Sequence, residues 1–212
     1  MLAAACATPQ TDALRASPAP LPVRAQVVDV PFFAQEELQC GPASLAMVMT
    51  WSGLATRPDE LVAQVYTEQR RGSLQLSLVA SARRAGRLAV QISGVRELAA
   101  ELAAGNPVIV LQNLGLSWYE QWHYAVAIGY DAEAGEVLLH TGQRAARAVP
   151  MPVFERTWAR SGYWGLVVTA PDRLPALADP ARLQAAIAGL ERSGRSDAAA
   201  RANAALAARA LR

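Results

Sequence analysis

A helical spacing of apolar residues dominates the first half of this chain, and a strand-like spacing dominates the second. After Cys40-Gly41-Pro42, the positions Ala43, Ala46, Met47, Thr50 and Trp51 fall on one face, so a helix begins beside Cys40. Thr56 and Pro58 open a second helix to about Gln69, Ser73 opens a third that ends at Gly86, and a fourth over residues 95–104 is stopped by Gly105. Strands are predicted over 25–33 and 87–92, with a further apolar run over 108–111 leading into a loop at 112–121. The β-branched and aromatic runs at 123–131, 136–140, 144–149 and 163–169 read as antiparallel strands, with a short helix near 154–160 between the last two. The pattern predicts an α+β domain over 25–170.

Beyond Pro171 alanine dominates two amphipathic segments, 180–193 and 196–211, separated by Gly194-Arg195, which predicts a helical hairpin over 171–212. Its length is close to one tetratricopeptide-type repeat, and stacking such repeats into an array takes about three. The hairpin offers a surface on which a protein partner could dock. Before residue 25 the order is different. Residues 7–24, with Pro9, Pro18, Pro20 and Pro22 and little apolar periodicity, read as an extended tether. The preceding Leu2-Ala3-Ala4-Ala5-Cys6 resembles the end of a bacterial lipoprotein signal whose earlier part lies upstream, with Leu2 one place early. That resemblance implies lipidation at Cys6 and a periplasmic lipoprotein of the cell envelope, touching the membrane only through the lipid.

Composition narrows the function classes. With 52% hydrophobic and 18% charged residues the 212-residue chain can build a core, and its apolar runs fall far short of the ~20 residues that span a bilayer. Twenty basic against 18 acidic residues leave +2, without the interleaved basic and aromatic stretches that grip nucleic acid. Every basic residue is Arg, a uniformity that reads as coding preference rather than as many binding roles. The two cysteines, Cys6 and Cys40, form no CxxC pair or Cys/His cluster, so neither a disulfide framework nor a metal site is implied.

The chemistry concentrates around Cys40. In Gln35-Glu36-Glu37-Leu38-Gln39-Cys40-Gly41-Pro42-Ala43, a thiol sits at the first turn of a helix, where unpaired N–H groups and the dipole favour thiolate. A Gln just upstream can aim its amide at the oxygen of a tetrahedral intermediate, alongside the Cys backbone N–H. A base is also needed, and only His123 and His140 are available. His123 starts a strand in Trp122-His123-Tyr124-Ala125-Val126 and can face a helix across a cleft, whereas His140 lies near the end of the next strand.

Gln35…Cys40-Gly41-Pro42-Ala43 together with Trp122-His123-Tyr124…Gly129-Tyr130-Asp131 resembles the bacteriocin-processing, double-glycine peptidase family, over roughly residues 25 to 170. Gly72-Ser73-Leu74-Gln75 and the closing helical pair resemble a stand-alone lipoprotein branch with a tetratricopeptide-like tail. The resemblance implies a papain-like fold, a helical half facing an antiparallel sheet half. It also implies a cysteine peptidase without cofactor, with Cys40 as nucleophile, His123 as base and Gln35 in the oxyanion hole. A peptide or protein is the implied substrate, with a preference for small residues such as Gly-Gly before the scissile bond, in a narrow cleft lined by aromatics such as Trp51 or Trp118.

The family's third residue is an Asp, usually before Pro, at the end of the strand after the His strand. This chain has Leu139-His140-Thr141-Gly142 there. Thr141, a backbone carbonyl or Asp131 then remains to orient His123. Gln35 precedes Cys40 by five positions where transporter-linked relatives often use six, which leaves Gln39 as a second donor. Two other readings follow from these departures and from the fold's versatility. One is a degenerate domain that binds peptides or a protein partner without cleaving them; the other is an amide-forming or amide-breaking enzyme on cell-wall or conjugated substrates.

Overall fold

The computed structural model describes residues 7–211 apart from 18, 36–38, 71, 117, 177 and 178. Helix α1 (Pro9–Ala16) is followed by strand β1 (Arg24–Gln26) and then by helices α2 (Cys40–Trp51), α3 (Pro58–Val65) and α4 (Gln75–Arg84). Between the last two helices lies a ribbon of β2 (Tyr66–Thr67) and β3 (Gly72–Ser73). The second half runs β4 (Leu88–Ser93), α5 (Val95–Ala103), β5 (Val108–Asn113), β6 (Trp122–Asp131), β7 (Glu136–Thr141), β8 (Arg144–Pro150), α6 (Met151–Ala159) and β9 (Trp164–Thr169). Helices α7 (Pro180–Arg192) and α8 (Ser196–Ala210) follow. No helix among the described residues is long and apolar enough to cross a membrane.

The main sheet is antiparallel, in the order β4-β9-β5-β6-β7-β8, and β1 pairs with the far end of β6. Alternation along the central strands splits the core between its two faces. Ile109, Leu111, Tyr124, Val126, Ile128, Leu166 and Val168 pack under α2, α3 and α4. Their neighbours Val108, Val110, Ala125, Ala127 and Val167 turn to the other face, where Leu14 of α1, Leu98 and Leu102 of α5 and Phe154 and Trp158 of α6 cover them. With both faces covered, β5 and β9 are buried throughout. A third cluster sets Leu183, Ile187 and Leu190 of α7 and Ala199 and Ala202 of α8 against Leu88 and Val90 of β4. The tail hairpin therefore packs on the edge of the sheet, and Arg182 ties it to Glu97 of α5 at 2.8 Å.

Several elements differ from the sequence pattern for identifiable reasons. Residues 9–16 are helical rather than extended: Pro9 is at the first helical position, where its missing N–H is not needed. The buried Glu155 carboxylate accepts the N–H groups of Gln10 (3.1 Å) and Thr11 (2.7 Å), and the Gln10 side chain in turn caps Val95 N–H at 2.8 Å. The strand expected over 25–33 is confined to Arg24–Gln26 because its partner, β6, passes to β5 beyond that point. The second predicted helix stops at Val65, and Gly72-Ser73 form a strand before α4 rather than its start. Helix α2 is buried from Gly41 to Met49 on all sides instead of along one stripe, since it lies between the sheet and the other two helices.

Candidate active site

Helix α2 starts at Cys40 with no side chain capping it, and Pro42 contributes no N–H, so the N–H groups of Cys40 and Gly41 are left free of the helix. Both face the Cys40 sulfur, as does the backbone N–H of Tyr124. The Tyr124 N–H can do so because β7 pairs with β6 only from Val126 onward, which leaves the Trp122–Ala125 edge open toward α2. Gly41 is required here by contact: a Cβ on it would lie 2.3 Å from Ser73 Oγ and 2.5 Å from Ser73 Cβ. Ribbon strand β3 thus closes directly on the first turn of α2.

Cys40, His123 and Gln35 line one cavity of about 1020 Å³, whose walls include Ser73, Tyr119 and Trp122. His123 Nε2 is 2.8 Å from the Thr141 hydroxyl, at the end of β7. Its Nδ1 makes no hydrogen bond among the described residues, and no hydrogen bond joins it to Cys40. Burial pushes the Cys40 thiol up, against the opposing pull of the three N–H groups, and burial also pushes the His123 imidazole down. In both groups burial favours the uncharged form. At Cys40 desolvation is the larger effect and the helix-start N–H groups, which favour thiolate, oppose it.

Gln35 is placed beside Cys40 but its side chain is fully engaged. Its amide nitrogen donates to Ser44 Oγ and to the Tyr124 carbonyl, both at 3.1 Å, and its Oε1 accepts Gly142 N–H at 2.7 Å. Its backbone N–H adds a bond to Gly142 C=O at 2.9 Å, and Gln143 reaches its carbonyl at 2.8 Å. With both amide hydrogens taken, Gln35 holds the site together rather than presenting a free donor to an oxyanion. Gln39 does not line the cavity.

The remaining candidates fall away from the cavity. His140 is buried and bonded to Val30 and Ala146. Asp131 is a turn residue whose Oδ1 accepts the N–H groups of Glu133 and Ala134. Trp51 lies at the other end of α2 under Arg173, 5.0 Å from its guanidinium, and the cavity's aromatic wall is instead Tyr119, Trp122 and Tyr124. Cys6 lies outside the described residues. Ser44 also belongs to the site, as the acceptor of a Gln35 amide hydrogen, and its buried polar position on a largely apolar helix is the signal it leaves in the sequence; Ser73 and Gly142, known from the sequence only as members of longer motifs, line the cavity. Among the described residues no three His, Cys, Asp or Glu side chains converge as a metal site would need.

Comparison with known proteins places this geometry. A family model described as Peptidase_C39 like family matches residues 27–165. Among solved structures, a protein described as a C39-like peptidase from Bacillus anthracis is similar at a TM-score of 0.59 and 20% identity, over 69% of this chain and 97% of its own. The peptidase domain of Streptococcus ComA, a bi-functional ABC transporter involved in a quorum sensing pathway, gives 0.54 and 19%, over 66% and 98%. A double glycine motif protease from an AMS/PCAT transporter, in complex with the leader peptide, gives 0.50 and 20%, over 68% and 96%. No curated protein matches the chain.

Proposed function

The chain belongs to the Peptidase_C39 like family, and we propose that it is a cysteine peptidase in which Cys40 attacks a peptide carbonyl and His123 carries the proton. One observation supports this most: Cys40 at the start of α2 and His123 at the start of β6 line the same cavity, with Nε2 of the ring held by Thr141 and Nδ1 unengaged. Nδ1 takes the thiol proton as the sulfur bonds to the carbonyl carbon. The oxyanion is met by the Cys40 and Gly41 N–H groups, the donors that the helix leaves free. As the C–N bond breaks, His123 returns that proton to the leaving amine. Water, deprotonated by His123, then cleaves the thioester and regenerates the thiol. Because burial disfavours the charged form of both Cys40 and His123, ionising the pair adds to the barrier.

The substrate is a peptide with small residues, such as Gly-Gly, before the scissile bond. Similarity to a double glycine motif protease supports this, as does the aromatic wall of Tyr119, Trp122 and Tyr124. Cleavage of a peptide series with Gly-Gly, Ala-Ala and Leu-Leu before the bond tests it; equal rates for all three would contradict it. The cell envelope is the proposed location, on the Leu2–Cys6 run alone, and acyl incorporation that disappears in Cys6→Ser is its test.

Three observations favour a second reading, a domain that binds peptides without cleaving them. His123 is held by a hydroxyl instead of a carboxylate, Gln35 has no free amide hydrogen, and Cys40 and His123 are not hydrogen-bonded. Saturable peptide binding with no product and no modification of Cys40 by an electrophilic peptide would favour it.

A further inference from the structure

The β7–β8 hairpin is irregular where it reaches the site. Leu139 pairs with Arg147 and Thr141 with Arg144, so two residues, Ala145 and Ala146, stand opposite His140 alone. Ala146 takes φ +48°, a left-handed backbone unusual for a residue with a side chain. Its N–H donates to His140 Nδ1 at 3.0 Å, so the imidazole supplies the acceptor that the interrupted ladder does not. The other ring nitrogen, Nε2, is 3.2 Å from the Val30 carbonyl, and the Phe32 ring packs against His140 at 5.4 Å between centroids. A backbone N–H can only donate. Nδ1 must therefore accept, and the ring proton sits on Nε2 and is given to Val30.

These bonds join the two elements that carry the site. Thr141, next along β7, holds His123; Gly142 exchanges two hydrogen bonds with Gln35, and Gln143 adds a third to the Gln35 carbonyl. Val30 and Phe32 lie on the segment leading into Gln35. We propose that His140 is a positioning residue whose neutral ring pins the bulged hairpin to that segment, and whose protonation releases the hold on Thr141 and His123. The proposal rests on the reading of Cys40 and His123 as the catalytic pair.

Protonation would place an Nδ1–H against the Ala146 N–H, donor facing donor. No charged side chain is hydrogen-bonded or ion-paired to the ring among the described residues. Val126 lies opposite on β6, Ala146 on β8, and Val30 and Phe32 on the incoming segment. The ionisable neighbours along these elements, Asp29, Arg144 and Arg147, are exposed, and His123 is bonded to Thr141, the residue next to His140 on β7. Burial also holds the ring below the ordinary His range, so the clamp is closed at neutral pH and opens on acidification.

The chain has only two histidines, so imidazole NMR on the intact protein follows both rings. The native protein is compared with His140→Asn, which keeps a donor and an acceptor but does not titrate, and with His140→Leu, which keeps neither. As pH falls, the native His123 signals should shift in step with His140 protonation, while in His140→Asn that step is absent. In a peptide-cleavage assay His140→Leu should lose on the order of 10–100-fold in kcat with little change in KM, the size expected for a misplaced catalytic group, and His140→Asn should recover most of the loss. If His140→Leu does not fold, the native titration and His140→Asn still decide. The clamp is overturned if native His140 protonates without moving His123, or if a folded His140→Leu keeps native kcat. Should His123 track His140 while the native protein cleaves no peptide, the clamp stands and the peptidase reading fails.

Discussion

Thr141→Asp would place a carboxylate where a hydroxyl now holds the ring of His123, the proposed general base. The Thr141 hydroxyl is 2.8 Å from His123 Nε2, so an Asp carboxylate at that position would meet the same nitrogen. Opposite unit charges about 4 Å apart attract by about 4 kcal/mol at an effective dielectric near 20. Removing a carboxylate from water at this partly buried hairpin returns much of that, leaving about 1–3 kcal/mol in favour of the imidazolium. Since about 1.4 kcal/mol is a factor of ten in rate, kcat should rise by about 5- to 150-fold, provided that the imidazolium forms in the rate-limiting step. The His123 titration midpoint should move upward from the depressed position that burial gives it. A raised pKa in the folded state adds stability below that midpoint, so the variant should gain stability relative to the native protein in mild acid. Thr141→Val keeps the shape and removes the bond, which costs about 0.5–1.5 kcal/mol of stability and lowers kcat without raising the midpoint. Histidine NMR, thermal melts and peptide cleavage on both variants measure these quantities. Native titration and native kcat in both would make Thr141 a bystander, contrary to the role its hydrogen bond gives it.

Gly41→Ala should destabilise by about 1–3 kcal/mol, because the added Cβ meets Ser73 at 2.3 Å, and Ser73→Gly in the same chain should restore most of it; additive denaturant midpoints would contradict this contact. Gln35→Ala should lower the melting temperature together with activity, by an amount equivalent to about 2–4 kcal/mol. It strips partners from Gly142 N–H, Ser44 and the Tyr124 carbonyl. Loss of kcat with an unchanged melt would return Gln35 to the role of a free oxyanion donor. Stability should fall as pH drops below the ordinary His range of about 6.5. Both rings have lowered pKa values when folded, so in that window the unfolded chain binds the protons first. Urea titrations at pH 7.5 and 5.5 check the sign; greater stability at pH 5.5 would mean that another group governs the window.

What could be read from the sequence was what local chemistry dictates. Gly41-Pro42 after Cys40 marks a helix start, the run from Trp122 marks a strand that opens with His123, and Gly194-Arg195 separates the tail helices; each element lies where its own residues put it. The α+β class and the antiparallel sheet follow from the same short-range patterns. What could not be read depends on partners far away in the chain. Gln35 looks like a free donor five residues before Cys40, yet its amide is taken by Ser44, Tyr124 and Gly142, up to 107 positions away. Leu14 sits in a Pro-rich stretch without periodicity, and beyond the local signal of Pro9 it is the α5 and α6 surface it meets that favours a helix over residues 9–16. Burial shapes the chemistry in the same non-local way, since the N–H groups at the start of α2 are local to Cys40 while its desolvation depends on how the rest of the chain packs around it.

Capture of the nucleophile is the decisive measurement. An electrophilic peptide with Gly-Gly before its reactive carbon, incubated with the intact protein and mapped by mass spectrometry, should modify Cys40 stoichiometrically. His123→Ala should slow that modification by at least about 100-fold, within the range typical of losing a general base. Free peptide of the same sequence should compete. Modification of Cys40 at the same rate in native protein and His123→Ala, or none in native protein that binds the peptide, would contradict a Cys40–His123 catalytic pair.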